Sequence, residues 1–343
     1  MHGGTWINIQ HNVQYFCTAI SVLINAFLIH LIANKSCKAL GTYKYLLAYT
    51  STFEIIYSIV DFLASPIFYS HSSVFLMFVV SETSFFKNIP MLINVFNGLY
   101  CANFGTVLGL FSLQFYYRYL IAKNSALLKT FKSVKILFWM SIPLISGSVW
   151  FFATYVLAAP SQTLTDHVRE HIMTDLDIDI DTTEYLGLFF FPRDKNGTPY
   201  IQVKDITSHL IQDFDLTITL ISIFYFGIAC YKEISKNMVK SVSTSYQVLQ
   251  SQLFYALVAQ TTIPLILLNF PVLSIHLCAI AGKDLGHLSG IVTITLALYP
   301  VIDPLPNIFI INGYRKATKG FYVFLIGFSL YFSCFRILTT SYM

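Results

Sequence analysis

Five carboxylic acids, Glu54, Asp61, Asp213, Asp215 and Asp303, stand inside long runs that are otherwise free of charge. An acid at bilayer depth costs about 2.5–3.5 kcal/mol on insertion scales, so it faces a bundle interior and a partner, and it marks an ion path, a proton relay or a switch. Asn25, Glu54 and Asp303 lie eight or nine residues from the same end of their runs, about 12–14 Å deep at 1.5 Å per residue. Asp61 is two helical turns beyond Glu54 on the same face. Together these groups predict a polar column, or else a static packing network held by hydrogen bonds. Asp213 and Asp215 fall near the end of their run, where water can also reach.

The elements that must position these acids are seven apolar runs: Val13–Ala33, Tyr45–Pro66, Met91–Tyr117, Ile136–Ala158, Leu210–Tyr231, Ser251–Leu277 and Leu288–Ile311. Each is long enough for an α-helix to cross a hydrocarbon core of about 30 Å. Lipid cannot hydrogen-bond bare backbone, and no strand alternation is present, so the expected fold is an all-α membrane protein, a seven-transmembrane helix bundle. A composition of 55% hydrophobic and 11% charged residues agrees and leaves no soluble reading. With the N-terminus outside and the C-terminus cytoplasmic, the cytoplasmic segments hold 15 Lys and Arg and the outer ones six, the asymmetry of a positive inner face. The net charge of +4 is thus a topological signal and gives no support to nucleic-acid binding. No charged region precedes the first run, which reads as a signal-anchor helix.

Proline places bends at Pro264 and at Pro300, Pro304 and Pro306, where an amide donor is missing and the ring clashes with the preceding turn. On the third run Asn94, Asn97, Cys101 and Phe104 recur at spacings of three and four, one face that could line a ligand cavity with Asp61, Asn269 and Thr293. Gly105 and Gly109 on that run admit a close neighbour, expected within the bundle.

Several strings together resemble the nematode seven-transmembrane chemoreceptors of the Str and Srj classes, relatives of the worm odorant receptors. They are Glu54 through Asp61, Tyr117-Arg118-Tyr119, Phe226-Gly227, Gln252-Leu253-Phe254 with Gln260 to Pro264, and Pro300 to Pro306 with Tyr314-Arg315. The resemblance spans a receptor domain at residues 13–318. It implies a receptor, not an enzyme, that needs no cofactor, sits in the plasma membrane of a sensory neuron cilium, binds a small odorant and activates a heterotrimeric G protein. By the same resemblance Arg118, Tyr119 and Lys123 couple to the G protein and Asp303-Pro304 matches a polar-residue-proline pair; depth and the proline bends group Asn25, Glu54, Asp61, Pro264, Asp303 and Pro304 as the switch and polar network. Tyr117 stands where the wider rhodopsin-type class carries an acid, which puts an ionic lock in doubt, and Asn307 replaces that class's tyrosine in the seventh helix. The alternative is a small secondary transporter using the intramembrane carboxylates, although no pair of similar halves is visible.

His167-Val168-Arg169-Glu170-His171 matches H-x-x-E-H, a zinc-protease pattern, but it opens an acidic outer loop without a catalytic scaffold and reads as solvated. Asn196-Gly197-Thr198 is a glycosylation acceptor pattern on the outer side. Cys17 and Cys278 are near enough to one face to pair, while the second outer loop contains no cysteine. Residues 319–343 form an atypical apolar tail, read either as an interfacial eighth helix or as an error in the coding sequence.

Overall fold

The computed structural model describes residues 3–194, 196–237 and 244–320; the apolar tail beyond them lies outside the described residues. Seven helices among these residues are long and apolar enough to cross a membrane. They are α1 (Gly3–Lys35), α2 (Tyr43–Ala64), α3 (Pro90–Ala122), α4 (Ile136–Phe152) with a π-turn at Ala153–Leu157, α6 (Val203–Asn237), a sixth span in two pieces, α7 (Thr244–Pro264) and α8 (Phe270–Ile280), and a seventh in two pieces, α9 (Gly290–Ile302) and α10 (Leu305–Ile310). Of the expected proline bends, those at Pro264 and Pro304 coincide with a departure from regular helix, while Pro300 and Pro306 lie within helical stretches. Pro264 is followed by a π-turn at Leu265–Asn269, and Asp303-Pro304 breaks the seventh span. Gly105 and Gly109 lie against Trp150, Ser146 and Pro143, so the small-residue face of α3 is spent on α4 within the bundle.

One end of the bundle carries an element that helix-length apolar runs do not announce. Strands β1 (Ile67–His71), β2 (Val74–Val80) and β3 (Thr183–Phe189) form an antiparallel sheet in that order, and helix α5 (Gln162–Leu176) lies over it. Side chains alternate between two apolar environments. Phe68, Met77 and Leu186 pack with the spans, whereas Tyr69, Leu76, Phe78 and Tyr185 pack with Leu164, Val168, Ile172 and Leu176 of α5. A sheet buried on both faces needs no polar alternation, which is why Val74–Val80 reads as a continuous apolar run. The helical bundle is as expected; the sheet lies outside its spans.

The segment around His167, expected to be solvated, is therefore a helix. Leu164, Val168, Ile172 and Leu176 recur every four residues and are buried, while the acids occupy the other face. Ser161 caps it, accepting from the amide of Leu164. Cys17 and Cys278 do not pair; both are free thiols. The sheet is fastened to the spans by polar bonds at its edges: Asp205 accepts from the amide of Phe189 at 2.7 Å, Asn94 donates to Glu184 at 2.6 Å, and the amide of Gly286 donates to the carbonyl of Ser70 at 3.0 Å.

Candidate functional site

Beneath the sheet lies a cavity of about 40 Å³. Its roof is Phe68, Phe75, Met77 and the Leu186–Leu188 stretch, and its walls include Cys101 and Phe104 of α3, Trp150 and Thr154 of the fourth span, Ser208 and Gln212 of α6, and His276 of α8. Most of this surface is aromatic or aliphatic. No Asp, Glu, Lys or Arg lines it. Gln212 donates to Thr154 at 2.7 Å and Ser208 donates to the carbonyl of Ala153 at 2.8 Å, whereas Nε2 of the buried His276 has no partner among the described residues. The His276 ring is 4.2 Å from that of Phe75 and 4.8 Å from that of His209, and His209 Nε2 is 3.3 Å from Asp213.

Of the seven residues that the sequence offered for the ligand cavity, Cys101 and Phe104 line it. The other five, including Asp61 in the column described below, are occupied elsewhere or set apart from it. Asn94 bonds Glu184, Asn269 donates to the carbonyl of Pro264 within the π-turn, and Thr293 accepts from the amide of Phe68. Asn97 is fully buried with no partner for either side-chain atom among the described residues. Asp215, which sequence left open to water, accepts from Ser146 at 2.7 Å and Trp150 at 2.9 Å. Asn196 is exposed, in a turn organised by Asp194.

A polar column runs from below the cavity toward the opposite end. Asp61 accepts from Gln14 at 3.1 Å; one turn on, Ser58 donates to Ser21 at 2.7 Å and Ser21 to the carbonyl of Pro300 at 3.1 Å. Asn25 donates to that same carbonyl at 3.0 Å. Proline at 304 cannot supply the helical donor that this carbonyl would otherwise receive, so the first span supplies two. Below, the carboxyl groups of Glu54 and Asp303 are close enough to interact with one another. Asp303 accepts from Gln260 at 2.8 Å. Both oxygens of Glu54 and Oδ1 of Asp303 find no donor among the described residues. Two carboxyls at that range can share one proton, which gives each oxygen pair a donor without placing two charges side by side. Gln14, unremarked in the sequence, and Gln260, read there only as part of a matching string, complete the column because an uncharged amide in an apolar run carries no signal of depth.

At the end away from the sheet, Arg118 is buried and does not reach outward. Nη1 donates to Oε1 of Gln250 at 2.6 Å and Nη2 to the carbonyl oxygen of Gln250, also at 2.6 Å, clamping α3 to α7. The guanidinium lies 5.3 Å from the centroid of the Tyr43 ring, which stacks on Tyr117 at 5.7 Å and donates to Gln114 at 3.0 Å. Tyr117, in the place of an acid, thus supports the arginine through a second aromatic ring, and Gln250 provides a neutral latch where an ionic one was in question. Charged-to-neutral hydrogen bonds contribute about 1.5–3 kcal/mol each. Tyr119 is half-buried and accepts from the exposed Lys123 at 3.1 Å.

A cavity under a roof at one end, a buried polar column and a latched arginine at the other stand on a seven-helix bundle of rhodopsin-like fold. Squid rhodopsin superposes with a TM-score of 0.61 over 94% of this chain and 82% of its own, at 11% sequence identity, a likeness of fold alone. The profile of the serpentine type 7TM GPCR chemoreceptor Str matches residues 10–319, and the chain belongs to that family. It is similar to the G-protein coupled receptor str-217 of Caenorhabditis elegans, with 32% identity over 91% of this chain and 89% of that one. It is also similar to serpentine receptor class r-10 of the same nematode, with 29% identity over 94% and 93%. The protein is a G-protein-coupled chemoreceptor and a multi-pass membrane protein, of a class that binds small molecules and couples to G proteins; the transporter reading has no support from these relatives.

Proposed function

We propose that this receptor sits in the plasma membrane of a sensory neuron cilium with its sheet outside. In this reading a small uncharged ligand enters the cavity beneath the sheet and the polar column passes the change to the Arg118 latch. A heterotrimeric G protein then takes the face that the latch closes. The observation that carries the reading is the Arg118–Gln250 clamp between α3 and α7, because it blocks the end opposite the cavity and is reversible by small motions of one helix. Lack of a formal charge around the cavity favours uncharged ligands, since an unpaired ion there would lose its hydration without compensation. His276 Nε2 offers a single hydrogen bond to orient such a ligand. Glu54 and Asp303 serve as the proton-sharing centre of the switch, with Asp61, Asn25, Pro264 and Pro304 around it. Arg118, Tyr119 and Lys123 meet the G protein once α7 moves away. Asn196 is the glycan acceptor on the outer side.

Orientation is tested directly by epitope tags. A tag before Met1 should bind antibody on intact cells, and one after Met343 only after permeabilisation. The reverse pattern would put the sheet in the cytosol and end this reading.

A further inference from the structure

The H-x-x-E-H string has no part in this scheme, yet the fold gives it a third histidine. His71, at the end of β1, stacks on His171 of α5 with ring centroids 3.6 Å apart and planes at 26°. It is also 6.0 Å from His167, whose ring stacks on Phe189 of β3 at 4.6 Å. Charged groups approach from every element around them. Asp284, in the link between the sixth and seventh spans, is 3.3 Å from Nδ1 of His71 and accepts from the amide of Ser72 at 2.5 Å. Asp175, one turn beyond His171 on α5, accepts from Tyr69 of β1 at 2.8 Å. Arg193, after β3, acts on His167. Arg169, between the two α5 histidines, is engaged by Asp166 and Asp181. No three His, Cys, Asp or Glu side chains among the described residues are disposed to hold a metal ion, and imidazole is the side chain that takes a proton near neutral pH.

We propose that His71, His167 and His171 form a proton-operated latch that holds α5 and the β1–β2 hairpin together over the cavity and releases them on acidification. Three elements meet at one stack: β1, α5 and the link carrying Asp284. Uncharged imidazoles can stack face to face at 3.6 Å; imidazolium rings at that separation repel, with Arg193 adding to the positive charge. Burial, then His171, holds His71 below the ordinary imidazole range, while Asp284 and Asp175 pull it upward. Burial, then His71, His171 and Arg193, does the same to His167, against Asp284. Protons are therefore bound more weakly in the latched arrangement than in the released one. The latched form is favoured above about pH 6.5, the ordinary value, and loses ground as pH falls below it. As the sheet roofs the cavity, release would shorten ligand residence, so that acid becomes a second input to the receptor. That consequence rests on the function proposed above; the latch itself does not.

The test uses the full-length receptor purified in lipid nanodiscs, without ligand or G protein, so it is independent of orientation and coupling. Spin labels at Glu170→Cys and Lys283→Cys, both exposed positions flanking the cluster, report its opening in a background carrying Cys37→Ser and Cys278→Ser. The distance distribution should lengthen or broaden as pH falls from about 7.5 to about 5. His71→Phe with His167→Phe, which preserve aromatic stacking and cannot take protons, should abolish the transition. Asp284→Asn, which removes a stabilising charge from protonated His71, should move it toward neutral pH. A distance that does not change with pH, a transition that survives in the double phenylalanine variant, or one that Asp284→Asn leaves in place would each overturn the proposal.

Discussion

The two ends of this bundle treat buried polarity in opposite ways. At the sheet end the cavity presents His276 with a ring nitrogen unpaired, and Asn97 is buried without partners among the described residues. At the other end the guanidinium of Arg118 gives two short bonds to one residue and rests on an aromatic ring, with Nε alone of its nitrogens lacking a partner among the described residues. An unsatisfied buried donor or acceptor costs about 1–3 kcal/mol and is relieved by whatever fills it. A satisfied one resists change by a similar amount. The difference assigns a direction to the molecule: one end is poised to gain an interaction, the other to lose one, and the Glu54–Asp303 pair between them can settle in more than one arrangement of its proton.

If the ends divide labour in this way, damage to each should separate cleanly. Arg118→Ala should abolish ligand-driven nucleotide exchange while leaving surface level and ligand binding near wild type. Cys101→Phe, which fills a cavity of about 40 Å³, should lower ligand potency by ten-fold or more and leave basal exchange in place. Radioligand or fluorescence binding beside an exchange assay checks both; variants that lose binding and exchange together at either end would break the division. A smaller effect is expected midway. Asp303→Asn keeps size and hydrogen-bonding capacity but removes the acid, and at about 1 kcal/mol should change basal or ligand-driven exchange by about five-fold without preventing insertion. Exchange unaltered over ligand concentration and pH, at matched surface expression, would falsify a switching role for Asp303.

The spans and the acids within them were legible because lipid leaves a backbone few solutions and charges in apolar runs stand out. Glu54 and Asp303 meet as their shared depth predicted. The sheet was not legible: burial on both faces removed the alternation that identifies a strand, and its runs are too short to be spans. Helix α5 was concealed by its acids, although Leu164, Val168, Ile172 and Leu176 carried its period. Glutamines 14, 250 and 260 decide the geometry of the column and the latch, yet in sequence an amide facing a carboxyl and one facing lipid look alike. Similarly, Cys101 and Phe104 of α3 line the cavity, whereas Asn94 faces the sheet because Glu184 is there to receive it.

If Gln250 holds the receptor closed through Arg118, basal nucleotide exchange in the absence of ligand must respond to its substitution. Gln250→Ala removes the side-chain acceptor and one bond of about 1.5–3 kcal/mol, so basal exchange should rise by about ten-fold or more at equal surface level. Gln250→Glu, which offers Arg118 a charged acceptor at the same position, should lower it below wild type. Basal exchange that is unchanged in Gln250→Ala, or that rises in Gln250→Glu, would contradict the account.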